Sequence, residues 1–233
     1  MNAHDARAQP NVLAPSPVRR HDAALVVMTG PARILDLGTT MAGEAAARGH
    51  IVLYLDGANA FDPYLLARLA QQAGVQPKAV LKRLHLSRAF TCHQLETLVT
   101  ERLPGAIARY RPALVVVSGC SHLFHDENVP AREAFRLLQT TAARLRSLAE
   151  DGQPVLATHP EEPATHRLRP LREILVHAAT TVLQIREQSG RLLAIQEKPA
   201  DPNGARTLPL AMDGLVRAYG PDHRPVAYPW SGR

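Results

Sequence analysis

Aromatic side chains make up only 4% of this 233-residue chain, with a single Trp. Its core must therefore be aliphatic, filled by Leu, Val, Ile and Ala. Cysteine is nearly as scarce: Cys92 and Cys120 cannot form a disulfide framework and fit a reducing compartment. No apolar run approaches the ~18 residues that a helix needs to cross a bilayer. The first residues also lack the charged-then-apolar layout of a secretory signal. These deficits exclude a disulfide-stapled secreted scaffold and a helical membrane protein, and the expected address is the cytoplasm. Basic residues form no single run, so no basic tail declares itself.

What remains is ordinary for a globular protein, 45% hydrophobic and 21% charged, with a net charge of +6. That excess favours a polyanionic partner and also serves solubility. Residues 1–22 hold Pro10, Pro15 and Pro17 among small and polar residues and are expected to form a flexible leader. Residues 220–233, broken by Pro221 and Pro225, read as a flexible tail. One domain is expected between them, at residues 23–219.

Within that span apolar strands alternate with amphipathic helices. Strands are expected at residues 23–29, 51–56, 84–89, 113–118 and 154–158, and a further short one at 33–37. An Ala-rich helix is expected at residues 39–48. Asp62 caps another, with Pro63 at its first position and Gly74 as its stop. Thr91 and Gln94 have the spacing of a capping box. A long helix follows Pro130, with Phe135, Leu138, Ala142, Leu145 and Leu148 as its apolar stripe. Residues 180–186 and 191–197 flank Gln188-Ser189-Gly190 and read as a β-hairpin. The fold class is α/β: a mostly parallel sheet flanked by helices, ending in an antiparallel hairpin.

Several of these segments, in this order, resemble one family. Tyr54-Leu55-Asp56-Gly57-Ala58-Asn59-Ala60-Phe61-Asp62-Pro63 is similar to the second strand and following turn of the RecA-superfamily ATPase core. Leu84-His85-Leu86-Ser87-Arg88-Ala89-Phe90 resembles its next short strand, and Leu175-Val176-His177-Ala178-Ala179-Thr180-Thr181 its final section. Residues 208–214 fit the strand and turn that finish it. The likeness is greatest to the RadA branch of recombinases and their paralogs. It implies a RecA-like P-loop NTPase fold over residues 22–215, without the small helical DNA-binding domain that precedes many such cores.

The resemblance also shows where this chain departs from its family. A P-loop needs a glycine-rich turn around the phosphates, a Lys for the terminal phosphates and a Ser or Thr for magnesium. Here the turn reads Arg33-Ile34-Leu35-Asp36-Leu37-Gly38-Thr39-Thr40. Arg33 replaces the first glycine, Thr39 the lysine, and Leu35 and Leu37 stand in the cradle; Thr40 alone matches. The family's catalytic Glu falls on Ala58 and its Walker B Asp on Ser118, while Asp56 is kept. Gly38, Thr39, Thr40, Asp56 and Ser118 thus mark a degenerate nucleotide site. No normal ATP turnover and no ATP or magnesium cofactor are expected.

Two stretches match the family's DNA-facing loops in position. One carries Arg132 and Arg136; the other carries His166, Arg167, Arg169 and Arg172. Arg forks suit phosphate oxygens, although Glu133, Glu161 and Glu162 dilute both patches. The resemblance implies a catalytically inactive accessory factor in DNA recombination or repair, binding DNA, an active recombinase or another RecA-like subunit. Two alternatives stand beside it: an atypical NTPase completed by a partner subunit, and an interaction scaffold with no nucleic-acid role. Cys92, His93, Cys120, His122 and His125 are metal-ligating types, but no pair has zinc-motif spacing. Cys92 as a nucleophile needs a base, and His93 is expected to point around its helix, away from the thiol.

Overall fold

The computed structural model describes residues 24–161, 169–188, 191–199 and 207–209. The expected leader and tail lie outside them. Eight strands form one sheet in the order β3-β2-β4-β5-β1-β6-β7-β8. They are β1 (Leu25–Gly30), β2 (Val52–Asp56), β3 (Leu84–Arg88), β4 (Leu114–Ser118), β5 (Val155–Pro160), β6 (Thr181–Gln188), β7 (Arg191–Lys198) and β8 (Thr207–Pro209). Pairing is parallel from β3 through to β6, and antiparallel for β6–β7 and β7–β8.

Central strands such as β2 are buried along their whole length because both sheet faces are covered. Alternate residues serve opposite faces. Val27, Leu55, Val117 and Ala157 pack on the side of the helices α4 (Cys92–Thr97), α5 (Leu103–Tyr110), α6 (Ala131–Glu150) and α7 (Arg169–Ala178). Met28, Tyr54, Val116 and Leu156 face α1 (Ile34–Ala47), α2 (Pro63–Gln72) and α3 (Pro77–Leu81). The result is a three-layer sandwich whose strand C-terminal ends open on one edge.

The local signals act as read. Asp62 Oδ1 accepts the Tyr64 N–H at 2.7 Å, Pro63 opens α2, and Gly74 takes a left-handed φ of +68° just beyond it. Thr91 Oγ1 accepts the Gln94 N–H at 3.2 Å, while the Gln94 side chain reaches back to the Phe90 N–H at 2.8 Å. The chain after α4 widens into one π turn, Leu98–Arg102, before α5. In α6, Leu138, Ala142, Leu145 and Leu148 are buried, and Phe135 packs partly buried against the same core.

One expectation is corrected. Residues 33–37 form no strand, because α1 begins at Ile34 and runs unbroken to Ala47. A short apolar run cannot be assigned to helix or strand by periodicity alone. Length settles the matter: Ile34, Leu35 and Leu37 continue into the buried Thr39, Ala42 and Ala46 at helical spacing, and together they form the inner face of one 14-residue helix. β6 and β7 make the expected hairpin, with Gln188 opposite Arg191.

Candidate functional site

The sheet brings the expected nucleotide residues to one place, at the C-terminal ends of β1, β2 and β4 beside α1. Only residues 31–33 separate β1 from α1, so the turn is very tight. The Ile34 N–H donates to Pro31 O at 2.9 Å and the Leu35 N–H to Ala32 O at 3.1 Å. Those are among the amides that a helix N-terminus offers to an anion, and this turn has used them internally.

Next to them, Leu35 forms a buried apolar cluster with Ala58 and Ala60. Leu35 is 3% exposed and Ala58 1%. The turn after β2 that carries the two alanines is held from within. Asp56, fully buried, accepts the Ala60 N–H at 3.0 Å and the Phe61 N–H at 3.1 Å. Its Oδ2 also lies 3.3 Å from Arg88 Nε. Asn59 completes the turn in the left-handed region at φ 51°, a conformation Asn tolerates.

Thr39 and Thr40 lie within α1 and are buried. The Thr39 hydroxyl is 3.0 Å from the Tyr54 hydroxyl and donates to Leu35 O at 3.3 Å. Thr40 Oγ1 donates to Asp36 O at 2.8 Å. Burial pushes the Tyr54 phenol up to about 12, partly offset by the Ser118 and Thr39 hydroxyls beside it. Ser118 is close enough to have that effect, yet its Oγ reaches no regular hydrogen-bond geometry with the described residues. Asp36 is raised to about 6, chiefly by burial and then by the charge of Asp62, with Arg33 opposing. Arg33 itself pairs with Glu187 at 3.2 Å.

As a cradle for a triphosphate and its magnesium, this set of groups fits poorly on each count. The Ile34 and Leu35 amides and the Thr39 and Thr40 hydroxyls are engaged, the centre is apolar, and the carboxyl groups of Asp36 and Asp56 oppose phosphate. Tyr54 is the residue that sequence reasoning missed here. The available signal was a phenol within a fully apolar strand, which when buried needs a polar partner.

The candidate DNA residues are divided. Arg132 and Arg136 are exposed on the first turns of α6 and line a groove of about 670 Å³ with Pro130, Glu133, Phe135 and Gln139. Arg172, on α7, is committed to Glu197 of β7 at 2.6 Å. Arg169 opens α7, and His166 and Arg167 lie outside the described residues. Where β4 and β5 end, Ser121 Oγ and His159 Nδ1 make a short, buried hydrogen bond.

The reading of His93 is also corrected: its Nδ1 lies 3.5 Å from Cys92 Sγ, and its Nε2 lies 3.0 Å from Glu133 Oε1. Contact with Glu133 on α6 turns the ring toward the thiol. Burial nonetheless raises the Cys92 pKa, with the charges of Asp126 and Glu133 adding to it, which is the wrong direction for a nucleophile. Among the described residues no three His, Cys, Asp or Glu side chains come together as a metal site. No described helix is long and apolar enough to cross a membrane.

The parallel sheet, its antiparallel end and the strand–turn–helix at β1–α1 make up a RecA-like fold. A comparison with protein families agrees: the Rad51 family model matches residues 34–153, from the first residue of α1 to the turn before β5. That match covers just over half of the chain. The chain therefore belongs to the Rad51 family, with a RecA-type core of the recombination and repair class.

Proposed function

We propose that this protein is a non-hydrolysing member of its family, an accessory factor that supports recombination or repair by binding DNA or another RecA-like subunit. The observation that carries the reading is the buried apolar cluster of Leu35, Ala58 and Ala60, which includes the two positions where the family resemblance implies a phosphate cradle and a catalytic glutamate. Phosphoryl transfer depends on charge neutralisation and on a positioned nucleophile. A leucine and an alanine supply neither.

Calorimetric titration with ATP and magnesium tests this directly. No saturable heat is expected, and no phosphate release above a buffer control. A stoichiometric binding isotherm would reject the reading. It would favour a nucleotide site completed by a neighbouring subunit.

A second reading, a protein-interaction core with no nucleic-acid role, has one observation in its favour. Among the described residues β3 pairs only with β2, so it forms a sheet edge, and Leu86 (39%) and Phe90 (66%) are exposed there. An unpaired edge is a template for strand addition by a partner. Salt-insensitive capture of one protein partner, with no DNA affinity, would favour it.

A further inference from the structure

We propose that the N-terminal edge of the sheet, opposite the candidate nucleotide site, docks the backbone of duplex nucleic acid, with Lys78, Lys82, Arg109 and Arg111 on its phosphates. This deepens the nucleic-acid reading above and rests on it.

Three segments converge on that edge. Residues 44–50 end α1 and lead to β2, residues 71–83 run from the end of α2 through α3 to β3, and residues 109–113 join α5 to β4. The sheet holds them side by side: the Val52 N–H donates to Arg83 O at 2.9 Å and the Ala113 N–H to Ile51 O at 2.9 Å. Together they carry six Lys or Arg and one acid, Glu44, in a chain whose net charge is +6. The remainder of the chain is therefore close to neutral, and its cationic excess lies here.

Glu44 is already taken by Arg48. Lys78, Lys82, Arg109 and Arg111 are exposed, and none forms an ion pair with another described residue. Arg83 is half-buried and donates to Ala79 O, so it stands outside the set. Helix dipoles do not absorb the charge. The C-terminal ends of α1, α2, α3 and α5 meet this edge, each worth about half a negative charge. Four ends offset about two charges and Asp151, closing α6 beside them, one more, against an excess of five.

Arg111 is marked further by its backbone. It closes α5 in the left-handed region at φ 47°, where Gly is favoured and any other residue is strained. The only Phe, Tyr or Trp in these segments, Tyr110, is half-buried and stacked on His85 with ring centroids 4.0 Å apart. Unstacked bases thus find no platform, whereas a duplex keeps its own stack and offers phosphates. α3 and α5 pack on opposite faces of the sheet, with uncharged Ile51, Pro112 and Ala113 between them, so two rows of cations can meet two backbones.

The test is fluorescence anisotropy of the full chain with a labelled duplex of about 20 base pairs, between about 50 and 200 mM salt. Four phosphate contacts predict a slope of log K on log salt of about −3.6, an affinity loss of about 150-fold over that range. Lys78→Gln, Lys82→Gln, Arg109→Gln and Arg111→Gly should each flatten the slope by about 0.9, and the quadruple variant should lose the salt-dependent binding. Arg111→Gly should do so without lowering the melting temperature, since glycine releases the left-handed strain. Arg186→Gln, on β6 away from this edge, should bind as the parent does. Circular dichroism confirms that each variant folds.

If the parent binds duplex and the quadruple variant binds it equally with the same slope, this edge is not the site, although the nucleic-acid reading stands. A parent that binds no DNA at the lowest salt overturns that reading as well. Tighter binding of a single strand through the same cations rejects the duplex assignment. Equal binding of polyglutamate through them points to an acidic protein and rejects nucleic acid.

Discussion

Leu35, in the first turn of α1, and Ala58, in the turn after β2, are in the same buried apolar cluster. The cluster joins the start of α1 to the turn that follows β2. It follows from a three-residue connection that brings α1 directly off the end of β1.

Restoring the chemistry by substitution should fail. Thr39 is 1% exposed and bonded to Tyr54, so Thr39→Lys buries an ammonium without directing it at a ligand. Ala58→Glu buries a carboxylate against Leu35. Each is expected to cost roughly 3–5 kcal/mol, the penalty for leaving one charge buried and unpaired. Urea denaturation measures the loss. A double variant that stays as stable as the parent and binds ATP would show that the cluster opens readily.

Asp36 sets a pH dependence of stability. Its carboxyl titrates near 6 in the folded chain, against 3.8 as its ordinary value. Between these values the unfolded chain has lost a proton that the folded chain keeps. Stability from this group is therefore fully present below pH 3.8 and falls as pH rises to about 6. Asp36→Asn should remove the decline and stabilise the protein at pH 7 by up to about 3 kcal/mol. Thermal melts of both proteins from pH 4 to 8 would show it. Parallel curves across that window would contradict the assignment.

Asp56 and Arg88 should respond unequally to mutation. Asp56→Ala removes the acceptor for the Ala60 and Phe61 amides, at about 1.5–3 kcal/mol for each charge-assisted bond. Arg88, with a side chain 41% exposed, contributes only a partly solvated pair, and Arg88→Ala should cost about 1 kcal/mol or less. Comparable losses from both would mean that the ion pair, and not the turn, is what Asp56 maintains.

Gly30 closes β1 with a φ of +144°, and a Cβ there would collide with the Ile185 carbonyl oxygen of β6. Gly30→Ala should cost roughly 1–3 kcal/mol of backbone strain. Gly49→Ala, also at positive φ but in open space, isolates the conformational part. Equal losses at both sites would show that the contact with Ile185 adds nothing.

Much of the architecture was legible before any coordinates. The strand at residues 51–56, the Asp62 cap with Pro63 and the Thr91–Gln94 capping box depend on neighbours within a few residues. Residues 33–37 were misread because Ile34, Leu35 and Leu37 satisfy either a buried strand or a buried helix face. His93 was misplaced because its partner, Glu133, is forty residues away and only α6 brings it near.

By itself the sequence determined the parallel strands after the first turn, the caps at Asp62 and Thr91, and which residues stand where the family resemblance implies charged catalytic groups. These are properties of composition and short-range spacing. The tertiary structure alone decided that Leu35 clusters with Ala58 and Ala60, that Tyr54 binds Thr39, and that Glu133 of α6 meets His93 of α4. Each is a relation between residues from different elements, and side-chain contacts exist only once the sheet has fixed those elements against one another.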